Sequence, residues 1–128
     1  MKYLLDTHII LWAALAVKKL SRKAKGLLEN PDNILYFSPV SLWEISIKHA
    51  KHPDQMPITS ERAKELAIKM GLIELPVRSR HGVDIAKLPD IHTDPFDRML
   101  ITQARSDGLS LISHDEKVIA YGAGVVKV

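Results

Sequence analysis

Five short apolar runs, at residues 2–6, 34–37, 72–75, 109–112 and 125–127, are spread along a chain whose other patterned segments read as helices. Runs this short and this uniformly apolar suit strands covered on both faces, because a half-exposed strand would alternate with polar residues. Helical patterning falls between them, at about 7–16, 21–30, 40–51, 60–70, 79–87, 95–107 and 115–121. Strands separated by helices require crossover connections, so the chain predicts an α/β fold with a central parallel sheet and helices on both faces. Gly71 and Gly108 fall near helix ends, and residues 51–58, with Pro53 and Pro57, read as a loop. At 128 residues the expectation is one domain, 1–128, able to bury roughly two-thirds of its unfolded surface.

Composition narrows the chemistry. There is no cysteine, which removes thiolate catalysis, disulfides and cysteine-type zinc sites. The opening Met-Lys-Tyr-Leu-Leu-Asp reaches charge too early for a secretory signal, and no apolar run approaches membrane-spanning length. A soluble cytoplasmic protein, with no membrane partner, is therefore expected. Net charge is +3, unevenly placed: Lys18, Lys19, Arg22, Lys23 and Lys25 form one basic stretch, and Arg78, Arg80 and His81 a shorter one. Either is a place to meet phosphates, or simply a solvated helix face.

Four acids carry the functional argument: Asp6, Glu44, Asp97 and Asp115. In parallel sheets ligands bind beyond the carboxyl ends of the strands, and Asp6 and Asp115 both follow predicted strands. Carboxylates sharing one cleft repel by about 3 kcal/mol per pair at roughly 5 Å and an effective dielectric near 20. Such clusters hold hard cations, which oxygen ligands suit best. In a basic chain, this points to a Mg²⁺-dependent phosphodiesterase acting on nucleic acid.

Each acid also has a plainer explanation. Asp6 or Thr7 can cap a helix, with Thr7 also steadying the Asp6 carboxylate, and His8 reads as a surface or packing residue. Glu44 is expected half-covered at the rim of an apolar helix, paired with Lys48, a pair worth only about 0.3 kcal/mol. A carboxylate in so apolar a helix is costly without a cation or donor nearby. Leu42 and Ile45, on the opposite side, suggest a second interface. Asp94, Pro95 and Asp97 make a well-formed helix start, which explains Asp94 without a functional role and leaves Asp97 at the positive helix end, expected ionised. Asp115 can cap, while Ser113 and His114 can instead orient a water.

Two other metal or phosphate chemistries fit less well. His49, His52 and His92 lack the spacing of a recognised zinc motif, and the first two flank a proline loop. An aspartyl-phosphatase start needs a second acid two residues after Asp6, where His8 stands. A non-catalytic nucleic-acid-binding or regulatory module is the remaining alternative.

The segments Leu5-Asp6-Thr7-His8-Ile-Ile-Leu-Trp12, Ser38-Pro-Val-Ser41-Leu-Trp-Glu44-Ile-Ser-Ile-Lys48, Asp94-Pro-Phe-Asp97-Arg-Met-Leu-Ile-Thr-Gln-Ala104 and Leu111-Ile-Ser-His-Asp115 resemble, in order, the four signature blocks of PIN-domain proteins. More closely, they resemble VapC-type toxin ribonucleases of bacterial toxin–antitoxin pairs. Ser113 stands where threonine is usual and keeps the hydroxyl. The resemblance implies a three-layer α/β/α sandwich and a Mg²⁺ or Mn²⁺ site in an acidic pocket. It further implies cleavage of single-stranded RNA, a cognate antitoxin that blocks the pocket, and commonly a homodimer. By position, Asp6 and Asp97 are implied as primary metal ligands, completed by Glu44 and Asp115, with Thr7, Ser41 and Ser113 as supporting hydroxyls. Residues 18–25 and Arg98 are then expected to grip the RNA backbone. With two Trp, three Tyr and two Phe, no extensive base-stacking platform is expected.

Overall fold

A computed structural model describes all residues, 1–128. In chain order the elements are β1 (Lys2–Leu5), α1 (Thr7–Leu15), α2 (Arg22–Glu29), β2 (Ile34–Phe37), α3 (Pro39–Lys51), α4 (Ser60–Lys69), β3 (Ile73–Glu74), α5 (Ser79–Asp84), α6 (Pro95–Asp107), β4 (Ser110–Ser113), α7 (Glu116–Ile119) and β5 (Val125–Lys127). Short 3₁₀ turns follow α1 (Val17–Lys19) and α5 (Ile85–Lys87). The five strands form one sheet in the order β3-β2-β1-β4-β5, with every pairing parallel. The α/β expectation holds, with each predicted strand present.

The strand sequences explain the layering. Tyr3 and Leu5 of β1 and Ile112 of β4 pack with Ile9, Ile10, Leu20, Ala24 and Ala67, from α1, α2, α4 and the segment between the first two. Leu4 and Leu111 point the other way, onto Leu100, Ile101 and Ala104 of α6 and Val40 of α3. Successive side chains thus alternate between two buried faces, which is why the runs lack polar alternation. A smaller cluster of Leu11, Ile45, Met56, Ile58 and Ala63 joins α1, α3 and α4. Met56 and Ile58 also pin the predicted loop to the core. No helix is long and apolar enough to cross a membrane.

The strand order reverses between β1 and β4, and such a reversal opens a crevice at the carboxyl edge of the sheet. The register Leu5↔Ile112 places Asp6 next to Ser113 at that crevice. α6 enters it from a strong cap: Asp94 Oδ1 accepts from the Phe96 and Asp97 amides at 2.8 and 3.2 Å, with Pro95 in the first helical position. Such a cap is worth about 1 kcal/mol and fixes the first turn, and so Asp97, in place. At the far end Gly108, at φ 70°, stops α6 in the left-handed conformation that a side chain disfavours.

Candidate active site

Asp6 continues β1, its amide donating to the Ile112 carbonyl at 3.1 Å. It occupies the cap position of α1, yet its side chain makes no capping bond to the first turn. Its carboxylate, only 3% exposed, instead accepts from Ser113 Oγ at 2.6 Å. Ser113 Oγ also accepts from the Asp115 amide at 3.1 Å, so one hydroxyl ties the Asp6 carboxylate to the Asp115 backbone. Thr7 does not support Asp6 as expected. Its hydroxyl donates to Ser41 Oγ at 2.8 Å, tying the start of α1 to α3.

Glu44 is more deeply placed than the helical wheel suggested: 4% exposed, not half-covered. The helical wheel ignores what neighbouring elements add, and here α4 and α6 pack along α3 and Leu11 of α1 reaches it as well. The expected second interface at Leu42 and Ile45 is absent for the same reason, since Ile45 is fully buried against Leu11 and Met56 and Leu42 packs beside it. The exposed large apolar residue of α3 is Trp43, edge-on to Phe96 at 5.0 Å between ring centres. Lys48 Nζ reaches Glu44 Oε2 at 2.5 Å, as the i,i+4 spacing predicted. Burial alone would lower the Lys48 pKa, but the Glu44 carboxylate outweighs it and the ammonium is held above its usual range. Glu44 Oε1 is buried without any hydrogen-bond partner.

Asp97, 9% exposed, is the third residue of α6. Sequence reasoning left it ionised at the positive helix end. The structure overturns this: burial first, then the charges of Asp6, Asp94, Glu44 and Asp115, push its carboxyl up to about 8. A helix end supplies only a partial charge, too little against four acids. Asp6 is raised as well, by burial first and by Glu44, while the Ser113 hydrogen bond and His8 pull in the opposite sense. Asp6 is the first of the charges acting on Asp97, and Glu44 acts on both, so these acids lie on one side of the molecule. Asp97 Oδ2 meets His92 Nε2 at 2.8 Å. His92 was set aside with His49 and His52; its signal is local, two residues before the helix cap and five before Asp97.

Asp115 Oδ1 caps α7 through the Lys117 amide at 2.8 Å. The four predicted acids therefore converge, and each engages one oxygen with a protein donor: Ser113, Lys48, His92 and the Lys117 amide respectively. Glu44, Asp97 and Asp115 line a cleft of about 440 Å³ with His8, Lys48, His92, Asp94, Glu116 and Lys117, without one apolar residue. Asp94, assigned to capping alone, both caps and faces this cleft.

The predicted RNA-gripping cations are elsewhere. α1, nine residues or about 13 Å long, leads away from Asp6, and of residues 18–25 Leu20 and Lys25 border a separate hollow with Leu5, Leu35 and Leu72. Arg98 donates to the carbonyls of Pro89 and His92 and to the Tyr121 hydroxyl, fastening the loop before α6. Arg80 pairs with Asp107, which also meets the buried His81 ring at 3.1 Å. The cations that do border the cleft are Lys48 and Lys117.

This donor set fits a hard divalent cation. Carboxylate oxygens dominate, burial and then neighbouring acids raise Asp97 and Asp6, and Glu44 Oε1 is a buried carboxyl oxygen with no protein donor. A polar atom in that state carries a full desolvation cost unless a ligand offsets it.

Several solved structures share the fold. VapBC2 from Rickettsia felis, bound to a DNA fragment from its promoter, aligns with TM-score 0.70 at 14% identity, covering 100% of this chain and 98% of that one. VapBC-1 from nontypeable Haemophilus influenzae aligns at 0.68 and 16%, covering 99% and 98%. A toxin–antitoxin complex from Klebsiella pneumoniae aligns at 0.65 and 21%, covering 98% and 96%. Among curated proteins none matches in sequence. The family model for the PIN domain matches residues 3–123, nearly the whole chain, and the protein belongs to the PIN domain family.

Proposed function

We propose that residues 1–128 form a single nuclease domain: a Mg²⁺-dependent endoribonuclease (Mn²⁺ substituting) that acts as the toxin of a VapC-type pair. The observation that carries this reading is the unpartnered, buried Glu44 Oε1 in a cleft shared with Asp97 and Asp115, within electrostatic reach of Asp6. The structural relatives, several of them toxin–antitoxin complexes, support the toxin assignment. RNA is the substrate, a cognate antitoxin and a second copy of the chain are the protein partners, and the cytoplasm is the place of action.

In this reading Asp6 and Asp97 hold the cation first, and Glu44 and Asp115 complete its shell. When bound, the cation supplies positive charge against the scissile phosphate and lowers the pKa of water beside it. The protein's own contributions are positional. Ser113 fixes the Asp6 carboxylate, and Lys48 fixes Glu44. Lys117, on the cleft rim, meets the incoming phosphate. No histidine or serine is needed as a nucleophile. Asp6→Asn and Asp97→Asn are expected to fold and to lose Mg²⁺-dependent cleavage of RNA. Cleavage retained in both variants contradicts the assignment. Failure of the wild-type protein to bind Mn²⁺ favours the non-catalytic nucleic-acid-binding module instead.

A further inference from the structure

His92 is buried, 7% exposed, on a loop with no regular structure, yet every polar atom near it is accounted for. Its amide donates to the Tyr121 hydroxyl at 3.0 Å, and that hydroxyl donates to the Pro89 carbonyl at 3.0 Å. Arg98 donates to the His92 carbonyl at 3.3 Å and to the same Tyr121 hydroxyl at 3.2 Å. The loop is thus fastened on both sides of the ring. Within the ring, Nδ1 accepts from the Asp94 amide at 3.4 Å, which leaves the hydrogen on Nε2. Nε2–H then donates to Asp97 Oδ2 at 2.8 Å.

His92, Asp97 and Asp115 offer ligand atoms within 4.8 Å of one another, an arrangement that invites reading the histidine as a metal ligand. The hydrogen bonds argue otherwise. Both ring nitrogens are engaged with the protein: Nδ1 spends the ring's one free lone pair on the Asp94 amide, and Nε2–H donates to Asp97. Histidine would also shift such a site from hard toward borderline cations, against the carboxylate-rich remainder.

We propose that His92 is a positioning residue: its Nε2–H holds Oδ2 of Asp97 so that Oδ1 is presented to the divalent cation. The inference rests on the metal-site reading above and adds to it a residue outside the four acids. The fastened loop sets the ring, the ring sets the carboxylate, and the helix cap at Asp94 serves both, bonding the first turn with its side chain and the ring with its amide. Removing such an outer partner typically weakens metal binding about 10–100-fold.

The test is Mn²⁺ binding by the purified full chain, measured calorimetrically and by electron spin echo modulation, beside thermal melts in EDTA. His92→Phe keeps the ring volume and removes the donor; Mn²⁺ affinity is expected to fall about 10–100-fold. His92→Gln returns an N–H near the Nε2 position and is expected to recover part of that loss. Tyr121→Phe loosens the loop while keeping the ring, and a smaller loss of affinity is expected. The wild-type echo is expected to lack a directly coordinated nitrogen. Wild-type affinity in His92→Phe, or a ligated imidazole nitrogen in the echo, overturns the positioning role while leaving the metal site intact. No Mn²⁺ binding by the wild-type chain overturns the site itself.

Discussion

The hydroxyl of Ser113 sits 2.6 Å from Asp6 Oδ2, bridging β4 and β1 where the strand order of the sheet reverses. Leu5 pairs with Ile112, so the two residues that follow are forced side by side at the carboxyl edge. The hydroxyl is therefore supplied by register, and its single proton goes to the acid. Ser113→Ala is expected to keep the fold and to weaken Mn²⁺ binding about tenfold or more, with Ser113→Thr much closer to wild type. Calorimetric titration checks this, and equal affinities in all three proteins count against it.

The elevated acids make stability depend on pH in a defined direction. Asp97 moves from 3.8 in the unfolded chain to about 8 when folded, so the native state binds the extra proton. Its contribution to stability is fully present below about pH 4 and is lost as pH rises through 8. Asp6 shifts in the same direction. In EDTA the melting temperature should fall between pH 5 and 8 where these groups dominate, and saturating Mg²⁺ should remove most of that fall. A melting temperature that rises over this range without metal contradicts the shifts.

Relieving one charge should stabilise the metal-free protein. Asp97→Asn keeps an acceptor for His92 Nε2 and removes an anion from the cluster. At pH 8 in EDTA its melting temperature is expected to exceed that of wild type, by roughly 4 °C for each kcal/mol of repulsion relieved. The same variant should lose the Mg²⁺-induced stabilisation. Differential scanning calorimetry with and without Mg²⁺ reads both effects.

Much of this was written in the chain. Strand and helix positions follow from apolar periodicity because both sheet faces are buried, and the capping residue Asp94 marks a helix start that the structure keeps. Asp6 and Asp115 were legible as a pair because each follows a strand that a parallel sheet must place at one edge. What failed depends on neighbours in space. Glu44 looked half-exposed on its own helix, and only packing by other elements buries it. Arg98 looked like an RNA contact, whereas the loop folding back over it claims its donors. His92 carries no spacing signal, because its role arises from a loop geometry that no period records.

Arg98 and Lys117 should separate under mutation. Arg98→Ala removes donors to Pro89, His92 and Tyr121 and is expected to cost about 1–3 kcal/mol of stability. Lys117→Ala should leave the melting temperature nearly unchanged and weaken binding of single-stranded RNA, reducing the salt slope by about 0.7. Fluorescence anisotropy across a salt series distinguishes them. A large RNA effect from Arg98→Ala at full stability reverses the assignment.

The central claim is that Asp6, Glu44, Asp97 and Asp115 form one divalent-cation site that cleaves RNA. Incubation of the purified chain with a single-stranded RNA, in Mg²⁺ and in EDTA, beside Asp6→Asn and Asp97→Asn, tests it most directly. The account predicts fragments only from the wild-type protein with Mg²⁺ present. Equal cleavage in EDTA or in the two variants, or intact RNA under all conditions, contradicts it.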